Sequence, residues 1–304
     1  INKKILNNGY LLIEEINQNW IDSNWVHYCK YTYTYDVNNK LIERLEQLWN
    51  GSDWINSWRA TYNYEVNNNM IEYLYQRWDV FNWVNYGKYA YTYDVNNNLI
   101  EGLGQLWDGS NWVNSQKWIY KYDMNYYLIE QLRQLWDSSN WLDDFKYTFS
   151  YDINNNRIEG LGQYWDGFIW VSYGKYTYSY DVNNNLIEDL YLLWDGSDWV
   201  NDWKWTCTYD ANNIRIEELG QDWNDSTWVN YSKITYNYDI NNNMIEKFLQ
   251  TWDGPNWVNA NKTLYSYIPT DVSKFTDVFN TYSLSNNYPN PFNPVTTIQY
   301  SIPQ

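Results

Sequence analysis

The sequence predicts an all-β protein: an antiparallel β-hairpin repeat array of nine units and about 18 strands, coiled into a spiral or a barrel-like shell. Three observations carry this. Trp20, Trp49, Trp78, Trp107, Trp136, Trp165, Trp194, Trp223 and Trp252 lie 29 residues apart. A second series from Trp25 and Trp54 to Trp257 keeps the same spacing, as do nine acidic positions from Glu14 to Glu246 and nine basic ones from Lys30 to Lys262. Between these markers aromatic residues alternate with polar or β-branched ones, the period of a strand.

Each element of a unit follows from local chemistry. Trp25 to Asp36 (WVHYCKYTYTYD) reads as a long strand. Val37-Asn38-Asn39-Lys40 is a turn, because Asn tolerates the left-handed region, and a three-residue loop places that residue at Asn39. Leu41 to Trp49 is a second strand, and Asn50-Gly51-Ser52-Asp53 closes it. Leu41, Leu45 and Leu48 also have helical spacing. The equivalent Leu99 to Gln105 carries Gly102 and Gly104, each costing a short helix about 1 kcal/mol. Strand parity places Trp25, Tyr31, Tyr33 and Tyr35 on one face with Leu41, Glu43, Leu45, Gln47 and Trp49. That aromatic face is expected to point inward. A single unit cannot bury its own core, so stability must come from stacked neighbours.

The array is expected over 1–268, followed by a linker at 269–281 and a distinct segment at 282–304. At its start, Asn7, Asn8, Gly9 and Tyr10 replace the Asp-x-Asn-Asn turn and no long strand precedes the first short one. That edge is expected to be open, and Ile268-Pro269 to blunt the opposite edge, since Pro cannot donate to a ladder. An open edge would let chains join head to tail into a fibre. Ile1 lacks a preceding Met or leader pattern, so a processed product or a fragment is expected.

The formal charge of −17 argues against nucleic acid, which requires clustered Lys and Arg. No run of 18 apolar residues exists, so no helical membrane insertion is expected. Cys29, Cys207 and His27 are too few for a disulfide framework or a Cys/His metal site, and no cofactor is expected. The two thiols lie on equivalent strands far apart and are expected to be free.

Three patterns invite sharper readings. Asp94, Asn96 and Asn98 fit the opening of a calcium loop, but the sixth position is Leu99 rather than Gly, and Asp/Asn turn chemistry explains them equally well. The nine glutamates are too equivalent for catalysis, which needs one asymmetric constellation. The Trp and Tyr rows suit sugar stacking, yet packing explains their presence in every unit. Lys30, Tyr33, Tyr35, Asp36, Glu43, Trp49 and Trp54 are therefore read as a structural ladder.

The run Tyr33, Tyr35, Asp36, Asn38, Asn39 and Leu41 resembles the YD repeats of Rhs and teneurin-type proteins, which build spiralling β-shells. The Trp107-Asp108-Gly109-Ser110-x-Trp112 segment departs from that family, and Asn stands where its turn usually has Gly. The tail, with Asn287, Tyr288, Pro289, Asn290, Pro291, Phe292, Asn293 and Pro294 followed by Thr296-Thr297-Ile298, resembles the start of the sorting domain of type IX secretion substrates. That resemblance implies the type IX machinery as a partner and a secreted or cell-surface location. The function expected is a non-catalytic structural or adhesive repeat protein with capacity to self-associate. The alternatives are a glycan-binding array using exposed Trp and Tyr, and an Rhs-like encapsulating shell.

Overall fold

The structure is a computed structural model that describes residues 6–7, 9–270, 283–284 and 300–301. After a two-residue strand β1 (Leu6–Asn7), eighteen strands follow in meander order. They begin with β2 (Tyr10–Ile21), β3 (Asn24–Tyr35), β4 (Leu41–Trp49), β5 (Trp54–Tyr64), β6 (Met70–Trp78) and β7 (Trp83–Tyr93). They continue through β8 (Leu99–Trp107), β9 (Trp112–Tyr122), β10 (Leu128–Trp136), β11 (Trp141–Tyr151), β12 (Arg157–Trp165) and β13 (Trp170–Tyr180). They end with β14 (Leu186–Trp194), β15 (Trp199–Tyr209), β16 (Arg215–Trp223), β17 (Trp228–Tyr238), β18 (Met244–Trp252) and β19 (Trp257–Pro269). A separate two-stranded ladder joins β20 (Ser283–Leu284) to β21 (Tyr300–Ser301).

Each strand pairs antiparallel with the next, and β19 pairs antiparallel with β2. The sheet is therefore a closed 18-stranded barrel and not a spiral. The expected open edges do not exist. Strand β2, which occupies the place of a short strand and lacks a preceding long partner in sequence, receives one from β19. Ile268 and Pro269 continue the ladder opposite Leu11 and Tyr10 rather than blunting it. Asn261 donates to Asn19 at 3.1 Å and Thr263 to Asn17 at 2.6 Å across this seam. Among the described strands of the array, closure leaves no unpaired row of backbone groups on which a second chain could add, which removes the route to a fibre through its edges.

The turns follow the expected chemistry. Asn39 adopts φ 62°, and the Asp36 amide donates to the Lys40 carbonyl at 2.8 Å, leaving a three-residue loop. The Asp36 carboxylate accepts from the amides of Asn38 and Lys40, both at 2.8 Å. These backbone donors hold its pKa below the usual carboxylate range. At the other end of the hairpins, Asn50 accepts from the amides of Ser52 and Asp53, and Gly51 takes φ 104°. Val80 occupies the same position with φ 85°, a left-handed conformation hostile to a β-branched residue.

The expected face assignment is wrong, and a β-bulge is the reason. In the β4/β5 ladder Glu46 lies opposite Trp58 and Gln47 opposite Asn56, so Ser57 is left without a partner. The same extra residue recurs in each Trp-flanked hairpin, for example at Tyr28, Tyr86 and Ser115. One added residue inverts the parity of the rest of the long strand. The Trp row therefore shares its face with Lys30, Thr32, Glu43, Leu45 and Gln47, while Tyr31 and Tyr33 lie on the opposite face with Arg44 and Glu46. The buried Cys29, Ala60, Tyr191, Ser232, Ile234, Tyr236 and Thr263 all fall on this tyrosine face. It is the concave, inward one.

Candidate ligand-binding site in the barrel lumen

The outward face is built from contacts that repeat in every unit. Nine Trp–Trp pairs flank the short turns, from Trp20–Trp25 to Trp252–Trp257, with ring centroids 5.0–5.3 Å apart. Each basic residue lies over a Trp ring one unit on. Lys30 sits 5.2 Å from Trp54, Arg59 4.7 Å from Trp83 and Lys117 5.0 Å from Trp141. The series runs across the seam, where Lys262 sits 4.6 Å from Trp25. Such cation–π contacts contribute about 0.5–1 kcal/mol each at part-exposed sites. They also occupy the ring faces that a sugar would need.

The remaining ladder residues are similarly engaged. Glu43 approaches Arg59 at 3.8 Å, Glu159 approaches Lys175 at 3.7 Å, and Glu188 approaches Lys204 at 3.5 Å. Gln47 donates to Asn56 at 3.0 Å, and His27 takes the Asn position in its own unit, 3.4 Å from Gln18. The hydroxyl of Tyr35 donates to the Leu12 carbonyl at 2.6 Å. Tyr64, Tyr93, Tyr122, Tyr151, Tyr180, Tyr209 and Tyr238 do the same to carbonyls at 2.7–2.9 Å. Tyr33 donates inward to Glu15 at 2.8 Å, and burial together with that carboxylate pushes its hydroxyl well above the ordinary range.

In the calcium-like loop one Asp94 oxygen accepts the amides of Asn96 and Asn98, both at 2.8 Å, and the other accepts the Asn98 side-chain amide at 2.9 Å. The carboxylate is thus committed to shaping the turn. Cys29 and Cys207 are free thiols. Asn17 donates to the Cys29 sulfur at 3.4 Å, and burial raises the pKa of both thiols. The sorting run Asn287 to Pro294 lies outside the described residues.

The inward face is different in kind. Where the outward positions repeat, the position of Arg44 is filled by Glu15, Tyr73, Gly102, Gln131, Gly160, Asp189, Glu218 and Lys247 in the other units. The position of Glu46 holds Asn17, Tyr75, Gly104, Arg133, Gly162, Tyr191, Gly220 and Leu249. The constant Trp, Glu and basic columns dominate the sequence pattern and mask this asymmetry. The signal was present in the variable ones.

Glycines shape the lumen by admitting a neighbour's ring. A side chain at Gly104 would meet Tyr89 at 2.9 Å, and one at Gly102 would meet Tyr91 at 3.3 Å. Gln116 donates to the Tyr89 hydroxyl across Gly104. The result is a cavity of about 820 Å³ spanning β4 to β10, walled by Tyr62, Tyr73, Tyr75, Tyr91, Trp118 and Tyr120. Its outer rim includes Tyr86 and Leu106, both exposed, near the end of the barrel that carries the short turns. Arg44 lines it too, and the Arg44 Nε is buried without a hydrogen-bond partner. On the opposite wall Asp189 has an unpartnered buried Oδ1, and burial raises its pKa to about 6.

These features define a closed antiparallel β-barrel of repeated hairpins with an aromatic lumen. No family model matches the chain, and no curated protein does. Among solved structures it is similar to a porin-like protein from Bacteroides uniformis, at 11% identity and a TM-score of 0.45, covering 86% of this chain and 98% of that one. It is also similar to TcdB2-TccC3, at 11% identity and a TM-score of 0.41, over 80% of this chain. The chain spans 15% of the length of that protein. A protein of unknown function from Bacteroides fragilis is matched at 17% identity and a TM-score of 0.36, over 42% of this chain and 95% of that one.

Proposed function

We propose that this chain is a non-catalytic structural or adhesive barrel, built as a 29-residue repeat and exported to the cell surface by the type IX route. The observation that carries the non-catalytic part is the ninefold outward pattern. Its lysines lie over tryptophans, glutamates approach neighbouring lysines, and the turn aspartates are held by turn amides. A catalytic centre needs groups in unlike environments, with roles pushed apart by those environments. Glu130 illustrates the contrast, being held 2.6 Å from Lys121. The same face argues against insertion into a lipid bilayer through the strands. A basic residue facing lipid at mid-depth costs about 2–4 kcal/mol, and nine basic side chains ring this barrel.

Two experiments test the proposal. Incubation of the purified chain with polysaccharide and peptide panels should give no turnover, and turnover abolished by Glu130→Gln would overturn the non-catalytic reading. Expression in a type IX-competent host should place the chain at the cell surface or in the medium. Removal of residues 282–304 should retain it in the periplasm, and unchanged export would overturn the assignment of the tail.

A further inference from the structure

We infer that the lumen cavity between β4 and β10 is a binding site for a carboxylate-bearing saccharide. This goes beyond the structural role proposed above and does not depend on it. Four observations converge. First, the inward positions vary from unit to unit while the outward ones repeat. A face with only a packing role would repeat as the Trp face does; here the groups that reach the lumen change along the array, from Arg and Tyr to Gly, Asp and Glu. Second, the chain carries a formal charge of −17, yet no carboxylate lines this cavity, and its one charged group is Arg44. Glu15 and Glu46 share the inward face to one side, where Tyr33 donates to Glu15 and the Glu15 charge also acts on Arg44, without direct ion-pair contact among the described residues.

Third, the buried Arg44 Nε has no acceptor, and a buried unpaired donor costs about 1–3 kcal/mol. The guanidinium packs over Tyr31 at 4.1 Å, which fixes its plane. A ligand carboxylate would pair with the part of the Arg44 guanidinium that lines the cavity, by a charge-assisted hydrogen bond. Fourth, the walls are Tyr and Trp rather than Leu or Phe. Their faces suit the C–H faces of a pyranose, while their hydroxyls need hydroxyl partners that a hydrocarbon ligand could not supply. Ligand pockets commonly span roughly 300–1,000 Å³. At 820 Å³ the cavity suits a short oligosaccharide entering past Tyr86 and Leu106.

The test is calorimetric titration of the full chain with digalacturonate, and with neutral galactobiose as the matched probe. Digalacturonate should bind, galactobiose should bind at least tenfold more weakly, and Arg44→Gln should lose about tenfold for digalacturonate alone, the scale of one charge-assisted hydrogen bond. Gly104→Leu should abolish binding by filling the cavity. Should that variant misfold by circular dichroism, Tyr91→Ala serves as the second cavity variant and should weaken both sugars. Asp189→Asn, on the opposite wall, should change neither. Equal affinity for the two sugars, retention of binding in Arg44→Gln, tighter binding of 2-naphthoate than of digalacturonate, or no binding by any probe would overturn the inference.

Discussion

Single side chains in this barrel act chiefly on the backbone of neighbouring hairpins. The hydroxyl of Tyr122 donates to the Leu99 carbonyl at 2.9 Å, tying each Tyr-Asp pair to the start of a short strand in the unit before it. Tyr122→Phe should lower stability by about 1 kcal/mol, the usual net value of such a bond, read from the midpoint of urea unfolding. Val80 presents the opposite case, holding φ 85° where five other copies place Gly. Val80→Gly should stabilise the chain by about 1 kcal/mol, because the left-handed region penalises a side chain by that order. A fall in midpoint would show that the Val80 side chain contributes something the turn geometry does not reveal. Asp189 adds a pH term. Its carboxyl titrates at about 6 in the folded chain against an ordinary 3.8. Below the lower value both states hold the proton and burial costs nothing. Between the two values only the native state keeps it, so stability falls as pH rises through this window. Asp189→Asn should therefore match the parent near pH 4 and exceed it at pH 7 in thermal melts. Equal melting differences at both pH values would refute this.

At the scale of the element, the turns were legible and the faces were not. Asp36 and Asn39 announce a three-residue loop because their side chains and φ tolerance leave few alternatives, and Asn39 sits at φ 62° as that chemistry requires. The bulge has no such residue signature. Its position is filled by Tyr28, Ser57, Asp144 or Ala260, so nothing in composition marks it. Only the ladder shows that one residue stands without a partner, and that single residue moved the Trp row away from Tyr31 and Tyr33. The candidate site was illegible for the same reason. Arg44, Gly102 and Gly104 appear as drift from a consensus until the bulge places them all on the lumen wall. Deleting Ser115, the bulged residue of the β8/β9 hairpin, would send Trp118 and Tyr120 to the outward face. That deletion should cost several kcal/mol or prevent folding, whereas Ser115→Ala should change little.

For the molecule as a whole, parity governs closure. Strands alternate in direction, so a meander barrel closes with antiparallel pairing only when the strand number is even. Removal of β19 leaves β2 and β18 running the same way, with two edges that cannot pair antiparallel. Such a chain should aggregate or dimerise on size exclusion. Excision of residues 170–198, two complete strands, keeps the parity and should give a folded monomer with sixteen strands. Failure of that shorter chain to fold would mean that closure depends on barrel radius and not on pairing alone. The hairpin pattern was visible in the sequence from the tryptophan spacing. The closure was not, because it rests on contacts between residues as distant as Asn17 and Thr263.

The seam is a full ladder of nine residue pairs, from Asn261 opposite Asn19 to Pro269 opposite Tyr10. Thr270 donates both its amide, at 2.8 Å, and its hydroxyl, at 2.9 Å, to the Gly9 carbonyl, so the two ends of the array meet much as residues do within a turn. Lys262 over Trp25 carries the outward pattern across the same junction. Topologically the barrel is a ring with one arbitrary cut, and its starting point is interchangeable. A circular permutant that joins Thr270 to Gly9 through a short linker and opens instead at the exposed Gly167–Phe168 turn would place the same side chains at the same azimuths. Its lumen would be unaltered.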